Sequence, residues 1–75
     1  MNNIQLVVTE HALQRAAERQ ITDTEIIVAF ASGRKIKSHA RQGIWTSTTA
    51  AITVVYQIIG RTVKLLTVYR EKNHA

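Results

Sequence analysis

Residues 51–70 read AITVVYQIIGRTVKLLTVYR, two β-rich runs separated by Gly60-Arg61. Val, Ile, Thr and Tyr dominate both runs, the composition of strands that pack on a pleated, half-buried surface. Glycine in the first central position of a two-residue loop suits a type II′ turn, so the stretch predicts a hairpin of residues 51–59 with 62–70. That register sets Ile58 opposite Val63, Tyr56 opposite Leu65, Val54 opposite Thr67 and Ile52 opposite Tyr69 on one face. The other face pairs Val55 with Leu66 and Thr53 with Val68. Apolar side chains on both faces mark the hairpin as central to its sheet.

Working outward, residues 36–40 and 44–47 read as two shorter strands across the turn Arg41-Gln42-Gly43. Upstream, Thr22-Asp23-Thr24-Glu25 is a capping box, and Ile21 with Ile26 has the spacing of a hydrophobic staple. Ile26, Ile27, Ala29 and Phe30 supply the buried face of this helix, and Gly33 ends it. Thr9 caps an earlier helix that starts at Glu10 and runs to about Gln20, with Leu13, Ala16 and Ala17 as a thin apolar stripe. Residues 4–8 are also β-rich, and their pattern leaves open whether they join the sheet. The expectation is a single domain over 1–75 of class α+β, with two N-terminal helices packed on one face of a curved antiparallel sheet of three or four strands. A helix-turn-helix reader fits less well, because the exposed face of the second helix lacks the Arg, Asn and Gln that contact bases.

The formal net charge is +5 and the sequence pI about 10.3, which meets the electrostatic criterion for a nucleic-acid partner. Between Ile26 and Arg70 there is no acidic residue, while Arg34, Lys35, Lys37, Arg41, Arg61, Lys64 and Arg70 all fall there or at its end. No cysteine is present, so disulfides and thiolate metal sites are excluded. The three histidines, at positions 11, 39 and 74, lack metal-ligand spacing. No glycine-rich phosphate loop or nucleophile elbow occurs either. The chain is therefore expected to work without metal or cofactor. No apolar run is long enough to span a bilayer and no leader pattern opens the chain, so a cytoplasmic location is expected.

His11, Arg15 and Arg19 recur every four residues and project from one side of the first helix. An imidazole suits proton transfer, and the arginines suit a scissile phosphate. In metal-free RNA cleavage a base takes the 2′-hydroxyl proton and cations stabilise the pentavalent phosphorus. On structural grounds alone, the same residues cap the helix or hold acids such as Glu18. Thr67 and Tyr69, two apart on the last strand, can orient phosphate, although both are also ordinary strand residues. Arg34, Lys35, Lys37, His39, Arg41 and Arg70 are the candidates for holding a nucleic-acid backbone, with Lys37, His39 and Arg41 expected on one side of a strand. Trp45 either stacks a base or anchors the core.

Taken together, Thr9-x-His11-Ala12-x-x-Arg15-x-x-x-Arg19-x-Ile21-Thr22, the helix end at Gly33-Arg34, and the closing Thr67-Val68-Tyr69-Arg70 resemble a family of small bacterial proteins known as a domain of unknown function. That family is grouped with the ribonuclease fold of barnase, EndoU-type nucleases, certain colicins and RelE-like toxins. The resemblance implies a metal-independent RNA-cleaving toxin, with His11, Arg15, Arg19, Thr67 and Tyr69 at the matching polar site. Gln20 departs from the glycine usual before the isoleucine, and the strands of residues 36–49 match loosely. An acidic inhibitor or immunity protein is the expected partner beside RNA. The other readings are a non-catalytic basic module for nucleic acid or an acidic protein, and a homo-oligomeric interaction protein.

Overall fold

The computed structural model describes residues 4–70. They form β1 (Gln5–Val8), α1 (Glu10–Glu18), α2 (Asp23–Ser32), β2 (Arg34–Lys37), β3 (Ile44–Thr48), β4 (Ile52–Ile59) and β5 (Thr62–Arg70). The strands make a five-stranded sheet in the order β1-β5-β4-β3-β2. β1 runs parallel to β5, and the other neighbours are antiparallel. This corrects the expected architecture: the sheet is mixed and has five strands rather than three or four antiparallel ones, and a strand precedes the helices. The α+β class stands. β1, whose membership of the sheet the sequence left open, pairs with the far end of the chain through a long crossover, an arrangement that leaves no turn signal in the sequence.

Both helices bury against the same face of the sheet. The core joins Ala12 and Ala16 of α1, Ile21 of the connection and Ile26 and Ala29 of α2 to Ile52, Val54 and Tyr56 of β4 and Val63, Leu65 and Val68 of β5. Of the stripe expected through Leu13, Ala16 and Ala17, Ala16 is buried together with Ala12, whereas Leu13 is 57% exposed. In α2 the capping box forms as the sequence indicates, but Ile27 is 58% exposed and does not join the core. At the other end of α2, a Cβ on Gly33 would run into Ser47 Oγ and the Ala29 carbonyl. Ser47 donates to that same carbonyl at 2.5 Å, so the helix end and β3 meet at a distance only glycine allows.

The hairpin turns as expected, with Gly60 at φ 58°, and Ile58 pairs with Val63 and Tyr56 with Leu65. Beyond that point the register slips. Val55 faces Thr67 and Val54 faces Val68, so Leu66 is an extra residue, a β-bulge. The expected pairs Val54–Thr67 and Ile52–Tyr69 are thereby replaced by Val55–Thr67 and Thr53–Tyr69. Val68 turns into the core, and Thr67 and Tyr69 turn to the face that carries no helix.

A single hydroxyl holds the bulge. Thr9 caps α1 by accepting from the Ala12 amide at 3.1 Å. The same oxygen donates to the Leu65 carbonyl at 2.7 Å, with the Leu66 carbonyl at 3.4 Å, and the Thr9 amide adds a 3.2 Å bond to Leu65 O. Backbone acceptors that the bulge takes out of the ladder are satisfied by the cap of the adjacent helix. At the C-terminal end of α1, Ile21 N–H reaches Ala16 O at 2.8 Å and Gln20 N–H reaches Ala17 O at 3.3 Å, a Schellman motif. Its left-handed position is Gln20, at φ 55°.

Replacing Thr9 by Val removes both the cap and the bulge contact, with an expected loss of about 2–3 kcal/mol. Thr9→Ser keeps both and is expected to stay within about 0.5 kcal/mol. Urea unfolding midpoints of the two variants decide this, and equal midpoints would refute it. Gln20→Gly relieves the left-handed strain and is expected to raise stability by about 0.5–1 kcal/mol in the same assay, net of the added freedom of the unfolded chain.

Candidate functional site

β1 pairs with β5 only from Thr62 to Leu65, so among the described residues the outer edge of β5 beyond that point has no strand beside it. α1 takes that place. Its cap sits at Leu65 and Leu66, and at its far end Arg19 Nη1 donates to the Val68 carbonyl at 2.9 Å. Helical spacing sets Arg15 and His11 on the same side as Arg19, one and two turns earlier, so the row borders the free edge of β5. From that strand Thr67 and Tyr69 project onto the open sheet face. The row and the two strand residues thus flank one edge, and no hydrogen bond among the described residues links His11, Arg15 and Tyr69.

The individual cations have different duties. Arg15 pairs with Glu18 at 2.8 Å, both side chains substantially exposed; its hydrogen bond to that carboxylate holds Glu18 below the usual carboxylate range. Such an exposed pair is easily exchanged for another anion. Arg70 is committed more fully: its guanidinium donates to Arg19 O at 2.9 Å, Gln20 O at 2.6 Å and Glu25 Oε2 at 3.3 Å. Together Arg19 and Arg70 clamp the turn between the helices to the end of β5. The Thr22 amide, donating to the Glu25 carboxylate at 3.0 Å, is the main reason that carboxyl lies below its ordinary value, and Arg70 adds to the effect.

Among the candidates for holding a nucleic-acid backbone, Arg34, Lys35 and Lys37 lie on the exposed edge strand β2. β2 ends at Lys37, so the expected strand over residues 36–40 is shorter and begins earlier, and His39 and Arg41 sit exposed in the following loop. No stripe through positions 37, 39 and 41 forms. Lys35 reaches back to the Ala31 and Gly33 carbonyls at 3.4 and 3.3 Å, where positive charge offsets the end of α2.

The alternation of the strands fixes the uncovered face. Arg34 of β2, Thr46 and Thr48 of β3, Thr53, Val55 and Gln57 of β4, and Lys64, Thr67 and Tyr69 of β5 lie on it, aligned by the pairings Arg34–Thr48–Thr53–Tyr69 and Thr46–Val55–Thr67. Glu10, Glu18, Asp23 and Glu25 all sit on the helices, so no described carboxylate belongs to this face. Lys64 and the threonines of β3 and β4 were not among the candidates, and on this face only the side taken by Thr67 and Tyr69 depends on the bulge. The alternation of residues 62–65 was the available signal, and it puts Lys64 opposite the buried Val63 and Leu65.

Grooves lie elsewhere, among them a small one of about 190 Å³ between α2 and the start of β4 and two larger ones. One of about 280 Å³ runs between the helices and β1 and carries no cation; a second, of about 260 Å³, opens beside Trp45. Among the described residues no three His, Asp or Glu cluster as metal ligands, and no helix is long and apolar enough to cross a membrane.

This arrangement of helices on one side of a mixed sheet recurs in a chain of the RelBE2 toxin–antitoxin complex of Mycobacterium tuberculosis. The two share 16% identity with a TM-score of 0.68, over 91% of this chain and 98% of that one. At that identity the likeness concerns the fold. No curated protein matches the sequence. The chain belongs to the family described as a domain of unknown function, DUF4258, whose model matches residues 8–70.

The Glu25 contacts generate a pH dependence. Its carboxyl is held low in the folded protein, so its contribution is fully present above about pH 4.5 and is lost as pH falls through the lower folded value. Thermal melts from pH 6 to pH 3 are expected to show a smaller decline for Glu25→Gln than for the native chain. Parallel declines would remove Glu25 from the account.

Proposed function

We propose that this protein is a toxin-class RNA-binding protein that seats an RNA backbone on its helix-free sheet face and cleaves it without metal at the rim shared by α1 and β5. The observation that carries the proposal is the segregation of charge: Arg34, Lys64 and Tyr69 share a face to which no described acid belongs. A polyanion lying there meets Arg34, Lys64 and the hydroxyls of Thr67 and Tyr69 among neutral side chains such as Val55 and Gln57, and its affinity must fall steeply with salt. In this reading Arg15 leaves Glu18 for the scissile phosphate, His11 transfers the proton, and Tyr69 with Thr67 positions the phosphate from the strand side. Arg19 supports the row by fixing α1 to Val68. The fold shared with a chain of a toxin–antitoxin complex supports the class. An acidic inhibitor protein covering the same face completes the reading, since complementary charge speeds capture.

Binding without cleavage is the second reading, favoured by the lack of any bond joining His11, Arg15 and Tyr69. A single assay separates the two. Native chain incubated with a defined RNA in chelator is expected to give discrete fragments, and His11→Ala and Arg15→Ala are each expected to lose at least about 100-fold in rate with circular dichroism unchanged. Retention of RNA without fragments, weakened by Lys64→Glu, would leave the binding module. Absence of both retention and cleavage would overturn the proposal.

A further inference from the structure

The groove beside Trp45 lies on the helix-bearing face of the sheet, past the end of α2 and away from the open face. It gathers Trp45, Phe30 and Tyr56, leaving Tyr69 as the only aromatic residue of the chain outside it. Phe30 and Tyr56 meet edge to face with centroids 5.0 Å apart. Tyr56 is 2% exposed, yet its hydroxyl makes no hydrogen bond to the described residues and is not among the fully buried polar atoms. It therefore reaches the groove as an unused donor and acceptor in an apolar wall. Lys35 and Arg61 stand at the margin, and no described acid lines the groove. At about 260 Å³ it is somewhat smaller than the roughly 300–1,000 Å³ of drug-sized pockets, which suits a single ring system.

These features specify a ligand with an aromatic face, polar ring atoms and an attached anion. An aliphatic anchor would leave the Tyr56 hydroxyl unpaired and make no use of the two cations. We propose that this groove is a second nucleic-acid site that holds one nucleobase against Trp45, with Tyr56 bonding its edge and Arg61 and Lys35 binding its 5′-phosphate. Recognition by stacking and charge tolerates any base. The ligand is either a free nucleoside monophosphate or an unstacked nucleotide of an RNA strand, and it does not depend on the chemistry assigned to the sheet face.

Trp45 is the only tryptophan and reports occupancy directly through its fluorescence. Adenosine 5′-monophosphate is expected to quench it saturably, adenosine and inorganic phosphate each more weakly. Arg61→Glu and Lys35→Glu are each expected to weaken the nucleotide about tenfold, and Ile58→Asp, at a rim position 42% exposed, to abolish it, with circular dichroism verifying each fold. Lys64→Glu, on the open face, is expected to leave the titration unchanged. A short single-stranded RNA that quenches at lower concentration than the mononucleotide identifies a strand as the natural source, and a mononucleotide that matches or exceeds it identifies the free nucleotide. No quenching by either at millimolar concentration overturns the proposal. So does a titration reproduced by inorganic phosphate, or one weakened by Lys64→Glu as much as by Arg61→Glu. Because cleavage is scored separately with His11→Ala, a failure here is distinguishable from a failure at the rim.

Discussion

The bond from the Thr9 hydroxyl to the Leu65 carbonyl joins features that would otherwise be independent. It completes the N-terminus of α1, satisfies the backbone where Leu66 is inserted, and marks where α1 replaces β1 beside β5. Without the bulge, Val68 would turn outward and Thr67 and Tyr69 would turn beneath the helices. The core would then lose a residue that is now fully buried, and the open face would lose its only tyrosine. A one-residue slip reverses every side chain beyond it, so a single hydroxyl decides which chemistry faces solvent.

Much of this architecture is written in local signals. The Thr22 capping box, the Gly60 turn and the first half of the hairpin register follow from residues a few positions apart, and the structure keeps them. What the sequence conceals is non-local. The parallel pairing of β1 depends on contacts between the two ends of the chain. The bulge at Leu66 has no glycine to announce it. The roll of α1 is likewise set from outside the helix: Thr9 and Arg19 are both tied to β5, and that orientation buries Ala12 and Ala16 while leaving Leu13 exposed. Small residues are favoured there because the helix lies close against the strand. For the candidate site, its cationic content was legible but its geometry was not, since which side of β5 carries Thr67 and Tyr69 is decided by the bulge.

Segregation of charge between the two faces has a physical origin in the helices. Acidic residues favour first turns, where Glu10, Asp23 and Glu25 lie and where free amides attract negative charge. The described strand positions carry none, so placing both helices on one side of the sheet leaves no described carboxylate on the other. The electrostatic asymmetry is thus a consequence of topology as much as of net charge. The described acids, which would repel an anion, sit beyond the sheet from its uncovered side.

The cations are not equivalent in what they can offer such a partner. Arg70 gives two donors to carbonyls of the turn between the helices and a third to Glu25 of α2, and Arg19 gives one to Val68; moving either to a ligand would leave backbone acceptors without their partners. Lys35 is partly engaged at the end of α2. Arg34 and Lys64 on the open face stand clear of the clamp, while Arg15 is held only by an exposed partner. These three can change partners without dismantling the fold. The distinction also separates two kinds of loss that a basic protein shows when its arginines are removed one by one. Arg70 is a positioning residue whose removal loosens the junction of α1, α2 and β5, whereas Arg34, Lys64 and Arg15 can be tested for ligand contact on an intact scaffold.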